Sequence, residues 1–202
     1  MTEIETNPLY IVGFNGPPKS GKDTIALALR EILCLECDIP NHLHSLATPM
    51  REIAMGFCGV RTYGEYNRVK DGPQERLGGQ TIREFMIGFS EDFIKPRYGH
   101  GFWGKTLIMN QRWIGKIPGL ILISDVGFPA EVEEFEKITD PKNILLVKTH
   151  RPETDWVNDS RRYVDNPRVH NLTVLNDRTP LDAASGIVDF MHHIQWNLDC
   201  KA

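Results

Sequence analysis

The feature that most constrains this chain is a short apolar run, Leu9 to Phe14 (LYIVGF). It breaks at Asn15 into Gly16-Pro17-Pro18-Lys19-Ser20-Gly21-Lys22-Asp23-Thr24 and resumes as a helical pattern. The run predicts a buried strand entering a tight loop. Beyond it, Ile25, Leu29, Ile32 and Leu33 share one face at spacings of three and four, which predicts a helix over Lys22 to Cys37. The loop itself is G-x-x-x-x-G-K. Glycines there let backbone N–H groups curl around a phosphate, and the following helix offers its positive N-terminus. Lys22 adds a mobile charge for β- and γ-phosphates. A glycine turn that caps a helix by chance would share the composition, but the setting between buried strand and helix is the one a phosphate loop needs. Gly16, Pro17, Lys19, Ser20, Gly21, Lys22, Asp23 and Thr24 are therefore the candidate nucleotide-binding residues. Asp23 takes the place where such loops usually carry a metal-facing hydroxyl. It is expected to hold magnesium through water, with Thr24 a second candidate for the metal or the α-phosphate.

The rest of the chain alternates strands with helices. Strands are expected at His42–Ala47, Leu120–Val126, Ile144–Lys148 and Leu172–Leu175. Helices are expected at 49–57, Thr81–Lys95, Phe102–Trp113, Pro129–Ile138 and Leu181–Trp196, with Thr81 and Glu84 forming a capping box. This order implies an α/β fold, a parallel sheet covered by helices on both faces. Ligands in such sheets bind beyond the carboxyl ends of the strands. Residues 58–80 are rich in glycine, tyrosine and charge and are read as a mobile insertion. Residues 150–168 are arginine-rich and irregular. At 202 residues, with 41% hydrophobic and 25% charged side chains, the chain suits a single domain with its own core. A net charge of −4 argues against a nucleic-acid partner, and no apolar run reaches the roughly 20 residues of a membrane span. Met1 to Asn7 is acidic and polar, unlike a secretory signal, and four cysteines make no disulfide scaffold. A reducing cytoplasm is the expected location.

Asp125 closes a hydrophobic strand, where a P-loop enzyme keeps its second acidic residue for magnesium. The arginines fall in two groups. Arg51, Arg83 and Arg97 lie in or beside mid-chain helices, and Arg151, Arg161 and Arg162 lie in the irregular segment after a strand. Guanidinium groups bind phosphate oxygens in a two-pronged way, so both groups are candidate phosphate ligands. Surface ion pairs are the plain alternative for any one of them. Trp103 and Phe102 stack on a base or pack the core. Cys34 and Cys37, near His42 and His44, lack a matching second pair for zinc and are expected as a buried helical pair. His192 and His193 are expected at the surface.

Several stretches resemble phage deoxynucleoside monophosphate kinases. Ser20-Gly-Lys-Asp-Thr24 is similar to that family's P-loop. His44-Ser-Leu-Ala-Thr-Pro-Met-Arg-Glu52 is similar to its Phe-Ala-x-Pro-Leu-Lys-Glu segment, and Thr81-Ile-Arg-Glu-Phe-Met86 to its Thr-Pro-Arg-Glu-Leu-Leu helix start. Ile123-Ser-Asp-Val-Gly-Phe-Pro-Ala-Glu131 is similar to its Ile-Ser-Asp-Val-Arg-Phe-Pro-Asn-Glu. The resemblance implies a P-loop kinase fold and transfer of the γ-phosphoryl group of ATP, with Mg2+, to a (deoxy)nucleoside monophosphate. It implies an acceptor site at Arg51, Arg83, Arg97 and Trp103, covered by the insertion at 58–80. Lys22, Asp125, Arg151, Arg161 and Arg162 are the expected catalytic set, the last three closing as a lid over 150–168. Gly127 stands where the family has arginine, and Arg161-Arg162 are candidates to replace that charge.

Two rivals stay open on the sequence. Animal-type phosphomevalonate kinase also resembles the Gly-Lys-Asp loop, and a catalytically weak nucleotide-binding phage protein would carry the same motif. A homodimer also stays open, and a phage-encoded chain would work in the host cytoplasm.

Overall fold

Along the central strands, apolar side chains alternate between two faces, and each face needs a cover. In the computed structural model, which describes residues 8–37, 40–110, 119–157, 159–196 and 198, both faces receive one. Five parallel strands form one sheet in the order β2-β3-β1-β4-β5. They are β1 (Leu9–Asn15), β2 (Asn41–His44), β3 (Gly119–Ile123), β4 (Ile144–His150) and β5 (His170–Leu175). β1 pairs with β3 from Leu9 opposite Gly119, and with β4 from Ile11 opposite Ile144. Tyr10, Val12, Phe14, Leu120, Leu122, Leu145 and Val147 pack on one face, with Leu29 and Leu33 of α1 (Lys22–Glu36) and Ile187 and Met191 of α8 (Pro180–His193). Ile11, Ile121, Ile123, Ile144 and Leu146 pack on the other. Their cover is Trp103 of α6 (Phe102–Asn110) and Val132 and Phe135 of α7 (Pro129–Phe135). Each fully buried side chain of this kind contributes about 1.5–3 kcal/mol. Doubly covered strands therefore read as continuous apolar runs in the sequence.

Helices α2 (Thr48–Cys58), α3 (Tyr63–Val69), α4 (Ile82–Gly88) and α5 (Lys95–Tyr98) complete the fold. Residues 58–80 are more ordered than their composition suggests. Thr62 caps α3 by accepting from the Glu65 N–H, a 3₁₀ turn follows at Glu75–Leu77, and Val60 and Tyr66 are buried with Ala54, Met55 and Ile82. Thr81 and Glu84 form the expected capping box. The helix then widens into a π-turn over Phe89–Ile94 before α5. Pro96 explains the widening: its ring has no N–H and would crowd the carbonyl four residues back in a regular helix.

Strand β2 stops at His44 rather than Ala47, because residues 45–47 turn away to bond Asp125. The tail of the helix expected over Phe102–Trp113 lies outside the described residues. His192 and His193 are exposed. Cys34 is exposed, not buried, while Cys37 is buried and disulfide-bonded. Among the described residues no helix is long and apolar enough to cross a membrane, and no cluster of three or more His, Cys, Asp or Glu side chains is arranged to hold a metal.

Candidate active site

The phosphate loop follows β1 directly. Gly21 caps α1 at φ 89°, the left-handed region that glycine enters without cost, and a Cβ there would run into the Asn176 side-chain amide. That amide donates to the Ser20 carbonyl at 2.9 Å, so the end of β5 holds the loop's shape. Lys19 also sits at positive φ, 65°, an uncommon state for a residue with a Cβ. Asn15, fully buried at the end of β1, is a hub that the sequence did not reveal. It donates to the carbonyls of Val126 (2.8 Å) and Arg162 (3.1 Å) and accepts from the Val164 N–H (2.8 Å). The segment after β4 is thereby fastened beside the loop.

Above the loop opens a cavity of about 380 Å³. One end carries Lys19, Lys22, Asp23, Asp125, Asp159 and Arg161. Lys22 is 6% exposed, and its Nζ donates to the Pro17 carbonyl at 3.2 Å and to no carboxylate. Burial lowers its pKa, helped by the Arg161 charge, against the pull of Asp23, Asp125 and Asp159. A buried ammonium without a bonded anion is poised to receive one. Asp125 is committed in part to structure. Its carboxylate accepts from Ser45 Oγ (2.7 Å), Leu46 N–H (2.7 Å) and Ala47 N–H (3.1 Å), fixing the start of α2. Thr24 is exposed on the first turn of α1.

At the other end of the cavity, Arg51 of α2 lies over the rings of Tyr63 and Tyr66, 5.6 and 5.5 Å from their centroids. Its Nη2 reaches Ser45 Oγ at 3.4 Å, and its buried Nε has no hydrogen-bond partner. Lys70 and Arg83 line the same end. Arg83 is tied to Asp71, not to Glu84 as its neighbour in the helix would suggest, through Nε at 2.9 Å. Met50, Met86, Ile87 and Trp103 supply apolar wall, and the Trp103 indole N–H donates to Ser90 Oγ at 3.0 Å.

Between the two ends lies a buried charge cluster. Lys95, 3% exposed, pairs with Glu91 at 2.6 Å and sits over the Phe128 ring. Burial lowers its pKa against the pull of Glu91 and Glu131. Burial pushes the Glu131 carboxyl up to about 7, opposed by the Gly127 N–H it accepts and reinforced by Asp125. Neither Lys95 nor Glu131 was singled out in the sequence. Each follows helical spacing and looks like an ordinary surface charge there.

Three of the arginines named from the sequence, Arg97, Arg151 and Arg162, do not line the cavity. Arg97 lies on the Phe93 ring, 4.1 Å from its centroid, and donates to the Phe93 carbonyl. Arg151 is exposed at the close of β4, where Thr154 folds a turn onto its carbonyl. Arg162 is exposed and bonds the carbonyls of Asp159 and Arg161 within its own segment.

The architecture has solved counterparts. An unliganded sugar kinase from Janibacter sp. HTCC2649 superposes with a TM-score of 0.50, covering 92% of this chain and 95% of the other, at 11% identity. The Mycobacterium tuberculosis APS kinase CysC, solved with AMPPNP and APS, gives 0.49 over 92% and 99% at 12% identity. A shikimate kinase from Acinetobacter baumannii in complex with shikimate gives 0.45 over 93% and 95% at 15% identity. At 11% identity the likeness to the sugar kinase is one of fold alone. No protein-family model and no curated protein matches the chain. With the strand order and the glycine loop between β1 and α1, the fold is that of a P-loop kinase.

Proposed function

We propose that this chain is an ATP-dependent kinase whose acceptor is a (deoxy)nucleoside monophosphate. The observation that carries the reading is one cavity with a cation seat at each end. Lys22 lies at the P-loop without a carboxylate, and Arg51 lies opposite with a buried, unpartnered Nε. Two anionic groups brought to those seats share a single cavity, which is what phosphoryl transfer between them requires. The apolar wall of Met50, Met86, Ile87 and Trp103 suits a base attached to the second anion. The resemblance of residues 44–52, 81–86 and 123–131 to the phage kinases supports the same acceptor class.

In this reading the loop amides and Lys22 hold the donor phosphates, and Arg51, with Lys70 and Arg83, holds the acceptor phosphate. Arg161 approaches from the segment over 150–168, which acts as the lid, and residues 58–80 cover the acceptor. The described residues contain no preformed metal cluster, so magnesium would arrive with the nucleotide. Asp23, Thr24 and Asp125 would meet it, Asp125 through water because its oxygens already serve residues 45–47. The ion would neutralise charge on the β- and γ-phosphates. The chain's own part is to position the two phosphates and to keep water out. The test is incubation with ATP, magnesium and a panel of nucleoside monophosphates, with shikimate and mevalonate phosphate as outgroups, read by chromatography of the products. Diphosphate formed from a nucleotide supports the reading, and transfer only to an outgroup refutes it.

A further inference from the structure

Gly127 and Arg161 compete for one space. A Cβ built on Gly127 would meet Arg161 Cβ at 3.2 Å and would overlap its Cγ and Cδ outright. These are the inner atoms of the side chain, which cannot swing aside while the guanidinium stays where it is. The guanidinium is itself held in a fork. Arg161 Nε donates to Asp159 Oδ1 at 2.8 Å and Nη2 to Asp159 Oδ2 at 2.6 Å, and the Asp159 side chain is 6% exposed. Asp159 and Arg161 both line the cavity beside Lys22, and both act electrostatically on it. Asn15 ties the backbone on the far side through Arg162 and Val164.

We propose that Arg161 is parked in this state: Gly127 provides its seat, and the Asp159 carboxylate stands in for a phosphate of the donor nucleotide. The planar fork that binds Asp159 is the geometry that binds two phosphate oxygens. A donor phosphate at Lys22 takes the fork over, and Asp159 is left to swing outward. Gly127 is thus a positioning residue acting through Arg161, and Asp159 is a competitor for the phosphate seat. This rests on the donor half of the proposed function and not on the identity of the acceptor.

The experiment is calorimetric titration of magnesium-ATP into the whole protein and four variants, each first shown to melt as one transition. Asp159→Asn keeps the shape and removes the competing charge, so the dissociation constant for ATP is expected to fall by about threefold or more. Gly127→Ala evicts Arg161, so the constant is expected to rise by about threefold or more, and Arg161→Ala to rise similarly. The double variant Gly127→Ala/Arg161→Ala is expected to match Arg161→Ala alone, since Gly127 has no other route to the nucleotide. Asp159→Asn with unchanged or weaker ATP binding overturns the stand-in role. Additive losses in the double variant overturn the seat. If the unmodified protein binds no ATP, the donor reading falls and this inference with it; if it binds ATP with full indifference to all four variants, only this inference falls.

Discussion

The two ends of the cavity were built by different means. The end at the P-loop is half local: the loop and the first turn of α1 supply Lys19, Lys22 and Asp23, while Asp125, Asp159 and Arg161 come from later in the chain. The acceptor end draws Arg51, Tyr66, Lys70, Arg83 and Trp103 from five separate elements and loops. A local anion site needs only a strand end and a helix start, because backbone N–H groups do the work. A site for a specific acceptor needs side chains of chosen size and charge at several distances, which only tertiary packing can assemble. The contrast makes the local half of the first end legible in the sequence and leaves the second end to the fold.

The largest effect is expected at the donor end. Lys22→Ala should lower turnover by about a hundredfold or more, since a charge lost from the transition state is worth several kcal/mol. Because Lys22 bonds only a carbonyl, its removal should leave the melting temperature nearly unchanged. Steady-state kinetics beside a melting curve checks both, and undiminished turnover would take Lys22 out of the site.

Arg51→Ala sharpens the comparison from the other side. The acceptor's KM is expected to rise by about tenfold or more, while that for ATP moves by less than about twofold. Matching changes in the two constants would show that the ends are not separate. Arg83→Ala is expected to shift the same constant less, by about threefold, because Arg83 is 40% exposed and already shares its charge with Asp71.

Glu131 tests the middle of the cavity through stability. Its folded pKa is about 7 against an ordinary 4.5. Between those values the folded protein binds more protons than the unfolded chain, so stability should fall as pH rises through that window. The loss is on the order of 3 kcal/mol and is complete above the folded pKa. Denaturant melts from pH 4 to 8 should show that slope in the natural protein and a flatter profile in Glu131→Gln. An identical slope in both would place the titration elsewhere. The smallest effect is expected from Arg97→Ala. Outside the cavity on the Phe93 ring, Arg97 should leave both Michaelis constants unchanged.

Legibility followed the same divide. The strands β1, β3 and β4 were plain because both their faces are buried, leaving no polar alternation to confuse the pattern. The capping box at Thr81 and Glu84 was plain because capping is a local bond. The end of β2 was misjudged because the Asp125 carboxylate, some eighty residues later, collects the backbone of Leu46 and Ala47. Tyr66 looked like a loop residue and is buried in a small satellite core. Asn15, Lys95 and Glu131 carried no motif, since burial and not sequence spacing gives them their importance. Arg51 and Arg97 were indistinguishable as arginines beside helices. Only the folded structure separates them: α2, packed against α4, brings Arg51 to the cavity, and Arg97 lies on the Phe93 ring outside it.

The central claim, that both seats of one cavity serve a single transfer, is met most directly by following the γ-phosphoryl group itself. ATP labelled at the γ-phosphorus, magnesium and each nucleoside monophosphate would be incubated with the natural protein and with Arg51→Ala. The expected result is label in a nucleoside diphosphate, formed in step with ADP and sharply reduced in the variant. Label released only as inorganic phosphate, or transfer to a nucleotide that is indifferent to Arg51, would contradict it.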